Sequence, residues 1–174
     1  SFGLSTPEGD EWGIVDGKIY HGSSEIMPLS DVALLGSHNH ANLLAAMALA
    51  FSAGVDKQTM AQVAADFKGL PHRCELIAVK QGVTYVNDSK ATNVGATVAA
   101  LQGLSDHLGD IILIAGGDGK GADFRPLKDV LGNVTHLITL GRDGNKIAAL
   151  RDDAIQVSTM AEAVAKAQEL ASAG

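Results

Sequence analysis

Hydrophobic positions along the chain change period as it proceeds. Glu11-Trp12-Gly13-Ile14-Val15-Asp16-Gly17-Lys18-Ile19-Tyr20 is short-period, two strands around Asp16-Gly17, a dipeptide that favours a tight hairpin turn. Glu25 to Leu35 reads as a further edge strand, restricted by Pro28. From Ser37 to Ala53 the spacing becomes helical. Leu43, Leu44, Met47, Leu49 and Ala50 supply a broad apolar face, Ser37 or Asn39 the cap and Gly54 the stop. Asp56 to Phe67 is a second helix capped by Asp56, and Leu70-Pro71 ends helical structure. Beyond that point strands and helices alternate. Cys74–Val79 turns at Gln81-Gly82 into Val83–Asn87, and a helix follows over Gly95–Leu101. Next come the buried-type strand Asp110–Ala115, a short helix Pro126–Leu131 and the strand Val134–Leu140. A helix Gly144–Leu150, a short strand Ala154–Val157 and the helix Thr159–Ala171 complete the pattern, the last with Glu162 near N3 as in a capping box.

This alternation predicts an α/β fold, a Rossmann-like doubly wound and mostly parallel sheet over 71–174, preceded by a hairpin and two-helix unit over 1–70. Composition narrows the function. Apolar residues make up 46% of the 174 and aromatics only 4%, so the core is aliphatic. A formal charge of −7 argues against a nucleic-acid surface and a basic membrane patch. Cys74 is the one cysteine, so no internal disulfide forms, which fits a reducing cytoplasm. No apolar run approaches a membrane span. The chain starts at Ser1 with no recognisable signal segment, and its first residues suggest a piece of a longer protein.

The chemistry concentrates in four places. Asn87-Asp88-Ser89-Lys90-Ala91-Thr92-Asn93 packs a carboxylate, an ammonium, hydroxyls and amides into one strand-to-helix junction. Open α/β sheets place ligands there, and the free N–H groups at the helix start favour an anion. A polar turn with Thr92 or Asn93 as cap is the plainer reading. In Ser37-His38-Asn39-His40-Ala41-Asn42 the amides of Asn39 and Asn42 share one helix face and could read the edge of a base, or simply cap and face solvent. Arg73 could reach a phosphate with its planar fork, or be an ordinary surface arginine. His21 has no second ligand at metal-binding spacing and reads as a surface residue.

Gly116-Gly117-Asp118-Gly119-Lys120-Gly121-Ala122-Asp123 follows the buried strand directly. Gly117, Gly119 and Ala122 formally match the dinucleotide fingerprint, with Asp143 roughly 20 residues on. Pro126 places the next helix after the motif, so no helix N-terminus meets a pyrophosphate as that fingerprint requires. The string is not a phosphate-binding P-loop either, because Ile114 stands where its first glycine belongs and Gly121 follows the lysine. What remains is a glycine loop carrying Lys120, suited to a substrate carboxylate or merely to solvent.

Gly69-Leu70-Pro71-His72-Arg73, the Asn87–Asn93 string, Gly116 to Phe124 and Gly141-Arg142-Asp143-Gly144 occur in order. Together they resemble the Mur ligase family, and within it the D-glutamate-adding branch, from about Leu35 to the end and more weakly before. The resemblance implies an ATP-dependent amide ligation in peptidoglycan synthesis, joining D-glutamate to UDP-N-acetylmuramoyl-L-alanine through an acyl phosphate in the cytoplasm. It implies that Asn39, Asn42 and His72 lie near the adenine, Arg73 near the phosphates, and Asp88 and Lys90 near the ribose and neighbouring nucleotide atoms. It further implies that Thr92 and Lys120 hold the carboxylates of D-glutamate.

By the same resemblance, residues 1–70 are the C-terminal part of a central ATP-binding domain, and 71–174 an amino-acid-binding domain without its last strand. The family's phosphate loop, magnesium ligands, carbamylated lysine and UDP-binding domain would lie upstream. The chain alone is then expected to be inactive, with no catalytic or metal-binding residue of its own. Two other functions stay open, a stand-alone nucleotide or amino-acid binding module and a nicotinamide-dependent oxidoreductase built on the Gly117 loop.

Overall fold

A computed structural model describes residues 1–105 and 109–171. The chain divides into two compact units, Ser1–Glu75 and Leu76–Gly174. Residues 106–108 and 172–174, which fall in the predicted 71–174 domain, lie outside the described residues.

The first unit opens with an antiparallel sheet in the order β1-β2-β3, formed by β1 (Trp12–Val15), β2 (Lys18–His21) and β3 (Ser24–Pro28). Asp16 and Gly17 both take positive φ, 48° and 72°, as a two-residue primed turn requires. Ile19 and His21 share one face of β2 because side chains alternate across a strand, and that face is the core. His21 is therefore not a surface residue. It is 6% exposed, its ring 4.6 Å from Trp12 and 4.5 Å from Phe51, and its Nε2 lies 3.3 Å from Asp10. Ligand spacing carried no information about this, since strand register decides it.

Helix α1 (Ser37–Ser52) buries Leu44 and Met47, while α2 (Lys57–Asp66) buries Met60 and Ala64. With Trp12, Ile19 and Met27 they form one core. Leu49, assigned by its spacing to the apolar face, is 73% exposed. Two positions past Met47 it lies about 200° round the helix. Neither Ser37 nor Asn39 caps α1. The cap position is Gly36, at φ 87°, with no side-chain bond, and the Asn39 amide instead donates to Leu35 O at 2.8 Å. Asp56 does cap α2, its carboxylate accepting from Thr59 N at 2.9 Å.

The second unit begins with a hairpin of β4 (Glu75–Lys80, whose first residue closes the first unit) and β5 (Val83–Asn87), turning at Gln81-Gly82. Helix α3 (Val94–Ser105) follows. Then comes a parallel sheet in the order β6-β7-β8, made of β6 (Ile112–Gly116), β7 (His136–Leu140) and β8 (Ile155–Gln156). Among the described residues this parallel sheet has three strands, and the hairpin pairs separately. Central β7 has no exposure at Leu137, Ile138 or Thr139, the signature of a strand covered on both faces. Helices α4 (Gly144–Ala148) and α5 (Met160–Leu170) pack on β7.

The helix expected over Pro126–Leu131 is instead two short 3-10 turns, Arg125–Asp129 and Leu131–Asn133. Gly132 and Asn133 disfavour longer helix there. The capping box of α5 forms. Thr159 Oγ1 accepts from Glu162 N at 3.1 Å, and the Glu162 carboxylate accepts from Ser158 N at 2.8 Å. No described helix is long and apolar enough to cross a membrane.

Candidate functional site

The junction after β5 is a chain of local turns. Asn87 Oδ1 accepts from Ser89 N at 3.1 Å, and Thr92 N donates to Lys90 O at 2.8 Å. Asn93 caps α3, its Oδ1 accepting from Ala96 N at 2.9 Å. With that role taken by Asn93, the Thr92 hydroxyl is not needed for capping. Thr92 and Lys90 are exposed and Asp88 is half-buried. One loop at the carboxyl end of a strand thus presents a hydroxyl and an ammonium beside a helix start, a combination that suits an anion.

Backbone bonds and close approaches constrain the glycine loop. Gly117 N donates to Leu140 O at 3.1 Å, and Asp143 N donates to Gly117 O at 2.9 Å. A Cβ on Gly141 would lie 2.8 Å from Gly117 N, and one on Gly116 would overlap Leu140 O. The loops leaving the adjacent parallel strands β6 and β7 are therefore laced backbone to backbone, and only glycine allows that approach.

Side chains complete the lacing. Asp143, 4% exposed, accepts from Gly119 N at 2.7 Å through Oδ2 and meets Lys146 Nζ at 2.7 Å through Oδ1. The Lys146 ammonium first, and the Gly119 N–H second, hold its carboxyl below the usual carboxylate range. On the solvent side Arg142 Nη1 lies 2.8 Å from Asp118 Oδ2, and Asp118 Oδ1 accepts from Lys120 N at 2.9 Å. Asp123, on the following turn, meets Arg125 at 2.6 Å, which lowers its carboxyl to about 2. Lys120 is exposed at φ 51°, and no ion pair among the described residues takes its ammonium. This is a rigid frame that presents a cation.

This geometry removes the basis for the dinucleotide reading. Asp143, the acidic residue at the spacing of a ribose ligand, is buried and bonded to the glycine loop itself. The short turn starting at Arg125 follows the glycines rather than beginning within them.

In the first unit a cleft of about 480 Å³ opens between α1 and α2. Leu43, Met47, Met60 and Val63 are among its apolar walls, and Asn39, Asn42 and Arg73 line it as well. The shared helix face of the two asparagines is thus also a cleft face. Asn39 has one N–H engaged by Leu35 O, which leaves its second N–H and its oxygen for a ligand. His72 lies on the adjoining turn at φ 66°, its N donating to Glu75 Oε2 at 2.8 Å, and does not line the cleft. A flat apolar ring edged by amides and reached by a guanidinium suits this shape and chemistry.

The profile of the Mur ligase glutamate ligase domain matches residues 72–174. The chain belongs to the Mur ligase family. It is 76% identical over all 174 residues to a UDP-N-acetylmuramoylalanine–D-glutamate ligase from Shewanella oneidensis and covers 40% of that protein. The corresponding ligase from Shewanella violacea is 67% identical over 174 residues, with 39% of it covered. The chain therefore spans about 40% of the length of these curated relatives. Among solved structures, MurF from Acinetobacter baumannii superposes with a TM-score of 0.69 at 21% identity, over 97% of this chain and 39% of that one. This likeness shows that the two share a fold.

Asp143 was legible in the sequence only as an acidic residue at a certain spacing. Its structural role has a faint signal, an aspartate at a helix start two residues after a glycine that follows a buried strand. The partner, 24 residues earlier, is set by sheet order and not by local sequence.

Proposed function

We propose that this chain is part of an ATP-dependent ligase that joins D-glutamate to UDP-N-acetylmuramoyl-L-alanine. Residues 1–70 would belong to its ATP-binding domain and 71–174 to its amino-acid-binding domain. The observation that carries the reading is Lys120, an exposed ammonium with no ionic partner among the described residues, on a laced glycine loop in a chain this similar to ligases named for that reaction.

In the proposed reaction the terminal phosphoryl group of ATP passes to the alanyl carboxylate. The amine of D-glutamate attacks the acyl phosphate, the C–N bond forms, and inorganic phosphate leaves with the amine proton given up to a base. This chain's residues bind and orient. The Asn39 and Asn42 amides meet the adenine edge, with His72 beside it, and Arg73 meets the phosphates. Asp88 accepts from the ribose hydroxyls with Lys90 nearby. Thr92 and Lys120 hold the D-glutamate carboxylates. Positioning and charge stabilisation are the main contributions a protein makes to such transfers. Among the described residues no three histidine, cysteine, aspartate or glutamate side chains gather as a metal site. On the family resemblance, we assign the ligands of magnesium, which would neutralise phosphate charge when bound with ATP, to residues outside this chain. We place the reaction in the cytoplasm, where ATP is supplied.

The test is a chimera in which this chain replaces the matching 174 residues of the Shewanella oneidensis ligase. It should release phosphate only when ATP, UDP-N-acetylmuramoyl-L-alanine and D-glutamate are all present, whereas the 174-residue chain alone should show no turnover. A folded chimera without D-glutamate-dependent release would refute the reading, and turnover by the chain alone would refute its dependence on further domains. A binding module without catalysis would hold nucleotide or D-glutamate as the chain alone and never support turnover in the chimera.

A further inference from the structure

We infer that Asp143 is a positioning residue for the carboxylate site of the amine substrate: its buried side chain fixes Gly119 and so sets where Lys120 presents its ammonium. The inference rests on the proposed role of Lys120 and names the group that would maintain it.

Asp143 occupies the N-cap position of α4, where an aspartate ordinarily accepts from the helix's own first N–H groups. It makes no such bond. One carboxylate oxygen, Oδ2, instead accepts from Gly119 N, 24 residues earlier, at 2.7 Å. Leaving an available local bond unmade for a distant one is a departure that tends to mark function. The carboxylate is also almost wholly shielded from water, at 4% exposure, and a shielded charge must be compensated. Two groups do this, Gly119 N–H and Lys146 Nζ, the latter also at 2.7 Å.

Lys146 has a second consequence. By neutralising Asp143 it prevents that carboxylate from offsetting the positive potential of Lys120. Lys120 follows Gly119 directly and sits at φ 51°, a conformation uncommon for a lysine. Its own N–H is bound by Asp118, which Arg142 holds in turn. Residues 142 and 143 thus grip the two loop residues that precede the lysine. The buried grip from Asp143 matters more, because the Arg142–Asp118 pair is largely solvated, at 76% and 48% exposure. Gly119 cannot gain a side chain without meeting the Phe124 ring, so the loop packs closely against that ring.

The chimeric ligase is assayed with Asp143→Ala, Asp143→Asn and Lys146→Met. Asp143→Ala should raise the KM for D-glutamate roughly tenfold or more while the KM for ATP stays within about twofold. Asp143→Asn keeps an oxygen for Gly119 N–H and should restore most of the loss. Lys146→Met leaves that bond but exposes a negative charge near Lys120, so its smaller effect should shrink with added salt. In the 174-residue chain the Gly119 amide signal should shift in Asp143→Ala and stay near its place in Asp143→Asn.

An unchanged D-glutamate KM in folded Asp143→Ala would overturn the inference, as would parallel rises for both substrates. A folded Asn variant whose D-glutamate KM rises about tenfold would also overturn it, and this arm remains if Asp143→Ala fails to fold. Lys120→Met separates the two levels. If it leaves the D-glutamate KM unchanged, the proposed substrate site fails. If it raises that KM while Asp143→Ala does not, only the positioning role fails.

Discussion

Two aspartates begin helices in this chain and do opposite things. Asp56 binds its own helix, accepting from Thr59 N at 2.9 Å and from the Thr59 hydroxyl at 2.7 Å. Asp143 makes no bond to the N–H groups of its own helix start and binds a loop 24 residues earlier. Helix α2 has ten residues and α4 only five. Five residues are too few to sustain a helix in water, so α4 depends on packing against β7 whether or not its end is capped. A cap stabilises the longer helix, while at the short one it would add little and the carboxylate serves another purpose. The same residue type at the same kind of position thus supports stability in one unit and a site in the other.

The contrast is open to direct attack. Its most severe test is Gly119→Ala, whose new Cβ would meet the Phe124 ring and approach Asp143. Displacing the loop by about 1 Å should cost about a hundredfold in the chimera's kcat/KM for D-glutamate, with the ATP KM little changed. Asp143→Ala should be milder, near tenfold, because the loop keeps its backbone lacing to Leu140 and Asp143 N. Asp56→Ala should leave both substrate KM values alone and lower the Tm of the first unit by about 5 °C. Trp12, the one tryptophan and a core residue of that unit, reports this melt by fluorescence. Arg142→Ala should change the D-glutamate KM by less than about twofold, since its pair with Asp118 is solvated.

Acid should act on both units in the same direction. The Thr59 hydroxyl and N–H lower the carboxyl of Asp56, Lys146 and Gly119 lower that of Asp143, and Arg125 lowers that of Asp123 to about 2. A carboxyl depressed in the folded state contributes stability that is complete above its unfolded value, about 3.9. That contribution is lost as pH falls through the folded value. For Asp123 the window runs from about pH 4 down to 2, with a small contribution because the pair is exposed. Thermal melts should therefore be insensitive to these groups above about pH 5 and fall below pH 4. Equal Tm values at pH 6 and pH 3 would contradict the assignment.

Where structure follows from neighbouring residues, the sequence shows it plainly. Asp16-Gly17 and Gln81-Gly82 are hairpin turns because each pair takes the positive φ angles that such a turn demands. Asp56 and Thr159 cap their helices through bonds three residues long. The parallel sheet follows from alternating apolar strands and helical stretches, and the glycine loop from its position after β6. Features that depend on distant partners were hidden. His21 is buried because β2 turns that face inward beneath Phe51. Asn39 bonds Leu35 O in preference to capping. In the candidate site, the shared cleft of Asn39, Asn42 and Arg73 was partly legible from helical spacing, whereas the link from Asp143 to Gly119 depends on β6 lying beside β7.

The most direct test is the D-glutamate KM of the chimeric ligase carrying Lys120→Met, measured beside the KM for ATP. Methionine keeps most of the side chain's unbranched length and removes its charge, so the comparison reports mainly on the ammonium. The account predicts at least a tenfold rise for D-glutamate with ATP unaffected. An unaltered D-glutamate KM in a folded chimera would show that the loop is an exposed turn and that the carboxylate site lies elsewhere.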